Sequence, residues 1–416
     1  MRRTIAGRSR ARASAFSGLP SPRDVAKRLA RIVTYGSREM RLRRWTLAVI
    51  TALLLAIVAA RADERSVMRS EHEAAPDETG LLGPLRIRDM TPFNLLRLDM
   101  LPAHAVDAGP GSWAIEAGLS FSNTFVMSDN VHEYLRHRAS QAGAAPLSAA
   151  DVAAIQAMDQ DAYYLDGEFD LLEATFHYRV LRRTSVYVTV SAYDFTGGFM
   201  DATIEGFHDS MNIENAGREY VSRGQFQTVM SIDGAQSSSL TAPLGFGLGD
   251  PVFGMRQAFP LEGRHWTAVV SGEMKVAWRG EREALSTGTN DYGVQLALQG
   301  KFAERAVYFN ASFVSTDGQV FGIPLDRRIV PTVTAAYETS LTSHANFIVQ
   351  LYASRSTVQD TTIDLLKADK YQASLGVRSR RGRLIYGLAV TENIKNFDNT
   401  PDVGMNLSLA WADLKP

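Results

Sequence analysis

The 416-residue chain contains no cysteine, which excludes disulfide frameworks, thiolate zinc sites and cysteine nucleophiles. It also lacks a G-x-S-x-G elbow, an H-E-x-x-H pair and a Walker phosphate loop. The commonest sequence signatures of hydrolases, zinc proteases and nucleotide-binding enzymes are therefore missing, and we expect no enzymatic activity. Length alone leaves the number of domains open.

Basic residues are scarce after residue 62. Residues 1–62 hold 14 Lys and Arg against 2 Asp and Glu, which leaves 30 basic and 43 acidic residues beyond, a net charge of -13. This sign argues against a nucleic-acid partner, because phosphate binding needs a concentrated basic surface. We expect no cofactor, with a divalent cation as the exception that an acidic surface would allow.

Long hydrophobic runs are also rare, and the clearest covers residues 45–60. It follows Met40-Arg-Leu-Arg-Arg and precedes Ala60-Arg61-Ala62, so residues 40–62 are predicted to be a signal peptide cleaved after Ala62. At about 16 residues the run is short of the roughly 20 that cross a bilayer. An uncleaved inner-membrane anchor is the alternative. Residues 1–39 are either a disordered extension or a mis-assigned start, with Met40 as the true first residue.

Beyond residue 112, segments of 10–14 residues alternate apolar and polar side chains with period two. The clearest covers residues 266–278 and carries Trp at both ends of one face. Twelve steps at about 3.3 Å, tilted by about 40°, separate Trp266 from Trp278 by roughly 30 Å along a barrel axis, near the spacing of two aromatic girdles. Trp411 ends the last segment in the same way. A mean hydropathy of -0.12 does not exclude a membrane barrel, because alternation hides the apolar face.

This alternation predicts an all-β fold, an antiparallel up-and-down transmembrane β-barrel of about 12 strands over residues 112–412 with long external loops. The other predicted strands cover residues 113–125, 163–179, 184–195, 249–260, 292–302, 306–315, 328–339, 347–353, 371–377, 384–390 and 403–411. Alternately tight and long connections put short turns and both chain ends in the periplasm. Residues 63–111 form either a periplasmic lead-in or a plug in the lumen.

Two local details refine this expectation. Between residues 165 and 178 the apolar side chains change parity, with Phe169 and Leu171 on one face and Phe176 and Tyr178 on the other, which predicts a β-bulge. In the predicted loop over residues 146–160, Ser148 precedes an apolar stretch, and Asp151 follows it three residues later. This spacing predicts a short capped helix in an external loop.

Several short signatures resemble an uncharacterised family of proteobacterial envelope proteins that is classified only as a domain of unknown function. They are Ser122-Asn123-Thr124-Phe125, Asp166-Gly167-Glu168, and Gly197-Gly198-Phe199-Met200-Asp201 through Ile204-Glu205-Gly206-Phe207-His208-Asp209. The resemblance covers most of residues 83–412. It implies an exported, barrel-like protein of the outer membrane and supplies no activity.

The loop after the third strand contains the residues Asp201, Glu205, His208 and Asp209. On a helix the first three share a side, where oxygen and imidazole ligands could hold a divalent cation. The favoured alternative is a short amphipathic helix that acts as a lid over the barrel mouth. The adjacent His208, Asp209 and Ser210 also leave a surface hydrolase as a minor hypothesis, although a triad is assembled in space and not along the sequence.

The other parity of the strands is predicted to line the lumen with mixed charges and amides. These residues are Glu116, Arg256, Glu273, Lys275, Gln295, Gln299 and Arg378. Side chains of both charges suit a polar channel, but they equally suit a narrow lumen that is filled by its own side chains. The two interpretations stay open at this point.

The leading functional hypothesis is a passive channel or binding protein for a small solute, in which residues 197–246 and 83–111 control access. The alternative is a non-conducting structural or surface-interaction barrel. The expected partners are outer-membrane lipid and lipopolysaccharide, together with the barrel-assembly machinery. The sequence does not identify the solute.

Overall fold

The computed structural model describes residues 80–106, 108–211, 215–243, 245–261, 265–278, 284–395 and 403–414, all within one compact unit, Leu53–Pro416. The predicted signal peptide and residues 1–39 lie outside the described residues. In the part of the chain that the structure describes, no helix has the length and apolar character needed to cross a membrane.

Twelve strands of the described chain form one closed antiparallel barrel. Each strand pairs with its neighbours along the chain, and the last strand pairs with the first, so the wall has no open edge. The strands are β1 (Trp113–Met127), β2 (Ala162–Leu181), β3 (Thr184–Thr196), β4 (Val252–Pro260), β5 (Trp266–Lys275), β6 (Asp291–Phe302), β7 (Arg305–Ser315), β8 (Ile329–Thr342), β9 (Ala345–Ser354), β10 (Lys370–Arg381), β11 (Leu384–Lys395) and β12 (Val403–Asp413). The predicted fold class and strand number are confirmed.

The connections divide the barrel into a short-turn end and a long-loop end. In the described chain the long loops carry four α-helices, α1 (Asp129–Ala142), α2 (Ala149–Gln156), α3 (Asp201–Met211) and α4 (Asp364–Lys367), and a hairpin of Gln227–Ile232 with Ala235–Ser239. The predicted cap at Ser148 is confirmed, because its hydroxyl accepts from the N–H of Asp151 while Asp151 accepts from the N–H of Ser148. The hairpin extends the wall by pairing with the first residues of β2.

Exposure alternates strictly along most of the wall. In β7, for example, Phe309 and Phe313 are 49% and 55% exposed, whereas the intervening Asn310 and Ser312 are buried inside. Because exposed apolar side chains on many strands form a continuous outer band, this surface needs an apolar solvent such as lipid. The inward positions hold mostly polar residues.

The predicted β-bulge between residues 165 and 178 is wrong. The register of β2 against β1 is continuous from Tyr164 to Tyr178, and the register shift of β2 against β3 lies near the end of the strand, between Arg179 and Leu181. The apolar parity changes because the environment changes. Phe169 and Leu171 point inward into an apolar cluster, whereas Phe176 and Tyr178 point outward in the exposed band.

The predicted 13-residue strand ending at Trp278 is shorter in the structure, because β5 ends at Lys275. Trp278 lies beyond it at the long-loop end, 58% exposed, and its indole N–H donates to the Gly249 carbonyl. Trp266 and Trp411 both lie at the short-turn end, where Trp411 packs against Trp113 with ring centroids 4.6 Å apart.

Residues 80–106, here called the luminal segment, run inside the barrel. The segment begins at the short-turn end beside Asn346, rises to a turn near residues 92–96 at the long-loop end, and returns beside Gln299. Its backbone then meets Arg179 and continues into β1. These contacts place residues 80–106 inside the lumen, and residues 63–79 lie outside the described residues.

Candidate functional site

The base of the luminal segment is held by two charged side chains of the wall. The carboxylate of Glu338 on β8 accepts hydrogen bonds from the N–H groups of Leu82 (2.6 Å) and Gly83 (3.1 Å). Arg378 on β10 donates to the carbonyl of Leu82 at 2.8 Å. Both side chains are buried, so each bond replaces water that the charged group would otherwise bind.

The middle of the segment is held by ion pairs to β1 and β2. Arg86 lies 2.7 Å from Glu116, and Arg88 lies 2.8 Å from Glu173. These pairs are largely buried, and breaking a buried pair from one side costs more than the pair itself contributes. Charge pairing therefore fixes the height of the segment in the lumen.

The descending part of the segment binds the opposite wall through amides and a lysine. Gln299 accepts from the N–H of Ala105 (2.8 Å), and Gln295 donates to the carbonyl of Met100 (3.1 Å). Lys275 donates to the carbonyl of Leu96 (2.9 Å) and pairs with Asp291 at 2.9 Å. The wall side chains thus bind backbone atoms at several heights.

All seven residues predicted to line the lumen project inward. Five of them contact the luminal segment directly, and the remaining two meet at Tyr187, whose hydroxyl donates to Glu273 (2.6 Å) and whose ring lies 4.6 Å from the guanidinium of Arg256. The mixed charges therefore satisfy one another and the luminal segment inside a filled lumen. They do not line an open channel in this structure.

The long-loop end of the lumen is closed by an apolar cluster, here called the cap cluster. It combines the turn of the luminal segment with inward residues of β1–β3 and with side chains from four different loops. Its members include Met90, Phe93, Leu95, Leu96, Phe169, Phe195, Phe226, Leu285, Val320, Ile323, Val358 and Leu366. Three Phe rings, at positions 169, 195 and 226, lie with centroids 5.6–5.9 Å apart.

The three family signatures meet on the outer face of the wall. Asp201, at the start of α3, accepts hydrogen bonds from Asn123 (3.0 Å), Arg218 (2.9 Å) and the N–H of Gly224 (2.8 Å). Arg218 also donates to Asn123 at 2.6 Å. Since Asn123 points away from the lumen, α3 begins against the outside of β1.

The paired glycines of the same signature have a steric reason. A β-carbon at Gly197 would lie 2.1 Å from the carbonyl oxygen of Gly224, and one at Gly198 would lie 1.9 Å from the Glu168 side chain. Gly198 also has a φ of 72°, which side chains disfavour. This close approach lets Glu168 accept a hydrogen bond from the N–H of Phe199 at 2.9 Å.

The four predicted lid or metal residues do not converge. Asp201 is occupied by Asn123 and Arg218, whereas Glu205 binds Arg223 at 2.9 Å. His208 and Asp209 both contact Asn215. Among the described residues, no group of three or more His, Asp or Glu side chains could hold a metal ion. The side chain of Phe207, which lies on this helix, is outside the described residues.

Asp161 joins three loops at the long-loop end. It accepts hydrogen bonds from the Thr361 hydroxyl (2.7 Å) and from the N–H groups of Thr362 (2.7 Å) and Asp233 (3.0 Å). Partial burial alone would raise the pKa of Asp161. The hydrogen bonds to the charged form outweigh that effect, and the pKa is lowered from its ordinary value of 3.8.

Sequence reasoning missed the partners that matter most here. Glu338 stands in a strand whose other inward residues are neutral, and Arg218 lies 17 positions from Asp201 in a loop without periodicity. No local signal connects Arg218 to Asn123, which is 95 positions away. The inward parity of Glu338 in β8 was the one available indication that it faces the lumen.

A closed twelve-strand β-barrel with a filled lumen is the class that this fold and site define. The chain belongs to the family described as "Protein of unknown function (DUF3187)", whose model matches residues 69–412. No curated protein matches the chain.

Several solved structures of outer membrane proteins are similar to the chain. An outer membrane channel from Pseudomonas putida F1 is 10% identical, with 75% of this chain and 97% of that chain covered and a TM-score of 0.44. The toluene transporter TodX of Pseudomonas putida is 10% identical, with 74% and 91% covered and a TM-score of 0.33. The KdgM porin in complex with disordered oligogalacturonate is 6% identical, with 61% and 96% covered and a TM-score of 0.31. At these scores the barrel assignment rests on the strand pairing of this chain itself.

Proposed function

We propose that the protein is an outer membrane barrel that passes or binds a small solute, and that the luminal segment controls access. The observation that carries this proposal is the way the segment fills the lumen. It is held by separate hydrogen bonds and ion pairs to opposite walls, none of them covalent. A segment held in this way can leave without unfolding the wall, because the strand pairing is complete without it.

The exposed apolar band and the acidic remainder of the chain support a location in the outer membrane. An export signal over residues 40–62, cleaved after Ala62, belongs to the same proposal. Lipid and lipopolysaccharide would then surround the band, and the barrel-assembly machinery would insert the chain. The lumen carries no exposed catalytic constellation on which an enzymatic proposal would rest, within the residues that the structure describes.

The test is an excision of residues 84–103 followed by single-channel recording in planar bilayers. Gly83 and His104 already touch, since a β-carbon at Gly83 would lie 2.7 Å from the His104 ring, so a short Gly-Ser linker can join them. The matched control carries the same linker inserted after Gly83 with nothing removed. Heat-modifiable gel mobility establishes that each variant forms its barrel.

We expect conductance steps in the excision variant that the wild type and the insertion control do not show. A heat-modifiable excision variant without conductance would overturn the channel proposal. That result would favour the second candidate, a non-conducting structural barrel, which the cap cluster supports because it closes the long-loop end with side chains from four loops.

A further inference from the structure

Two carboxylates of the wall lie close together on the inner faces of β1 and β2. Gly118 on β1 stands directly opposite Glu173 on β2, and Glu116 lies two residues before Gly118, so the two glutamates are diagonal neighbours. Side chains in this relation are about 7 Å apart. Both are largely buried, since the side chains of Glu116 and Glu173 are 16% and 13% exposed. The pairing of the two strands therefore sets the spacing between these negative charges.

The luminal segment presents two cations at a matching spacing. Residues 85–90 contain no helix or turn, and in an extended chain two residue steps cover roughly 6.6 Å. Arg86 lies 2.7 Å from Glu116, and Arg88 lies 2.8 Å from Glu173. Each guanidinium thus occupies the position of one cationic group beside one carboxylate.

The charges of this region balance only while the segment is in the lumen. Residues 80–88 carry two cations and no anion. Among the described contacts, the charged wall side chains that bind them are the carboxylates of Glu116, Glu173 and Glu338 and the guanidinium of Arg378, a net charge of -2. When the segment leaves, two carboxylates lose their counter-charge. Charged groups in a narrow lumen are costly without a partner, so the open wall favours entry of cations.

Partners within the wall hold both carboxylates independently of the segment. Glu173 accepts a hydrogen bond from the Ser191 hydroxyl on β3 at 3.2 Å, and Nε2 of His177 lies 3.8 Å from Glu116. A site that is already in place favours a ligand whose charges have the same spacing, because less ordering is needed on binding. A single metal ion fits less well, since no group of three or more His, Asp or Glu side chains in the described chain could hold one.

We propose that Arg86 and Arg88 occupy, in the closed barrel, a wall site for a small organic dication, and that Glu116 and Glu173 are its two anionic contacts. The simplest ligand of this class is a linear diamine whose ammonium groups lie about 6–7 Å apart. The inference rests on the proposed function, because the segment must leave before the solute can bind. It names the chemical class of solute that the open lumen selects.

Competition between the segment and a diamine can be measured on the full chain in detergent micelles. The readout is amide hydrogen exchange of residues 82–88, followed by mass spectrometry, and the probe is 1,4-diaminobutane. A ligand that binds only the open state raises exchange in proportion to its concentration, by about tenfold at roughly ten times its dissociation constant. Butylamine and magnesium chloride at the same pH and ionic strength are the controls, and we expect neither to change the exchange rate.

Matched substitutions assign the effect of the diamine to residues. Glu116→Gln and Glu173→Gln should each raise the basal exchange, because one ion pair of the segment is lost. Each should also raise the diamine concentration needed for a given increase by about tenfold or more, the effect of one lost hydrogen bond to a charged group. Glu273→Gln is the control, since Glu273 is a buried inward carboxylate whose hydrogen bond comes from Tyr187 of the wall. Heat-modifiable gel mobility establishes that each variant forms its barrel.

Removing the two arginines should shift the response in the opposite direction. In the double variant Arg86→Gln, Arg88→Gln the closed state competes less with the ligand, so the diamine should bind at a lower concentration than in the wild type. Isothermal titration calorimetry measures this affinity without reference to exchange. We expect a stoichiometry of one diamine per chain.

Exchange that does not respond to the diamine, an equal response to butylamine or magnesium, or an equal loss of response in Glu273→Gln would each overturn the inference. None of these measurements involves conductance. Displacement of the segment by the diamine, together with an excision variant that does not conduct, would leave the dication site standing and remove the channel. Conductance of the excision variant without displacement would remove the site alone.

Discussion

The base of the luminal segment is held mainly by buried charged side chains, and its turn is held mainly by apolar packing. At the short-turn end, Glu338 and Arg378 bind individual backbone atoms. At the long-loop end, the turn near Leu95 packs into the cap cluster, whose side chains come from strands and four loops. Directional polar bonds specify position, whereas apolar packing is additive and supplies stability. The comparison indicates that the base sets the register of the segment and the cap cluster holds it closed.

The largest effect is expected outside the lumen, at the ion pair that fixes the longest loop to the wall. Arg218→Ala leaves Asp201 buried with its cationic partner removed, and breaking a buried pair from one side costs about 3–5 kcal/mol. The temperature of the heat-induced gel shift should fall, and protease should cleave within residues 197–246. The cap cluster would then lose Phe226, which this loop contributes.

Arg223→Ala is the matched control for this change. Arg223 pairs with Glu205 of the same loop, but its side chain is 61% exposed, and solvent-exposed pairs contribute little to stability. Equal losses in the two variants would mean that the buried network does not anchor the loop.

The second prediction acts on the cap cluster itself. Leu95 is completely buried there, so Leu95→Ala should cost about 3 kcal/mol through lost burial and a residual cavity. Amide exchange should increase around residues 92–97 and remain slow at Leu82 and Gly83. Val106→Ala, at the exposed end of the same segment, should change neither.

The third prediction weakens the base of the luminal segment and leaves the cap cluster unchanged. Glu338→Gln replaces an acceptor of four donors, the N–H groups of Leu82 and Gly83 and the side chains of Tyr308 and Asn346, by an amide that can accept fewer. We expect a loss of about 2 kcal/mol. Exchange should rise at the first two residues and remain slow near Leu95. Simultaneous exchange at the base and at the turn in either variant would show that the segment opens as one unit.

The smallest effect concerns pH at the long-loop end. Because the pKa of Asp161 is lowered by its hydrogen bonds, its contribution to stability is present above the ordinary value of 3.8 and is lost as pH falls below it. Cleavage of the loops by an acid-stable protease should increase as the pH falls from 7 toward 3. Asp161→Asn should remove part of that increase. Asp159→Asn, at an exposed position nearby, should leave the increase unchanged. An unchanged profile in Asp161→Asn would assign the loop contacts to other groups.

The sequence permitted the wall to be predicted because strand periodicity is local. All twelve strands follow from alternation, and the cap at Ser148 follows from a four-residue pattern. The prediction failed where burial changes along one strand. The upper part of β2 is covered on both faces, so the inward Phe169 changes the parity of the apolar residues as a bulge would. The strand β5 ends before Trp278 although the alternation continues.

The site was less predictable than the wall because its contacts join distant positions. Residues such as Gln295 and Gln299 could be assigned to the lumen by parity, but nothing local indicates that they bind the backbone of residues 100–105. The helical spacing of Asp201, Glu205 and His208 suggested a shared ligand. Their actual partners, Arg218, Arg223 and Asn215, all lie further along the loop.

The luminal segment enters and leaves the barrel at the same end, since Gly80 lies beside Asn346 and the returning chain meets Arg179. Its described part is a loop that runs up the lumen, turns near residues 92–96 and runs back down. No strand has to pass over it, so the ring of strands can close first and the segment can follow. For the described residues, the strand pairing therefore does not fix the order of the two events, and the segment can leave toward the short-turn end by the path along which it enters.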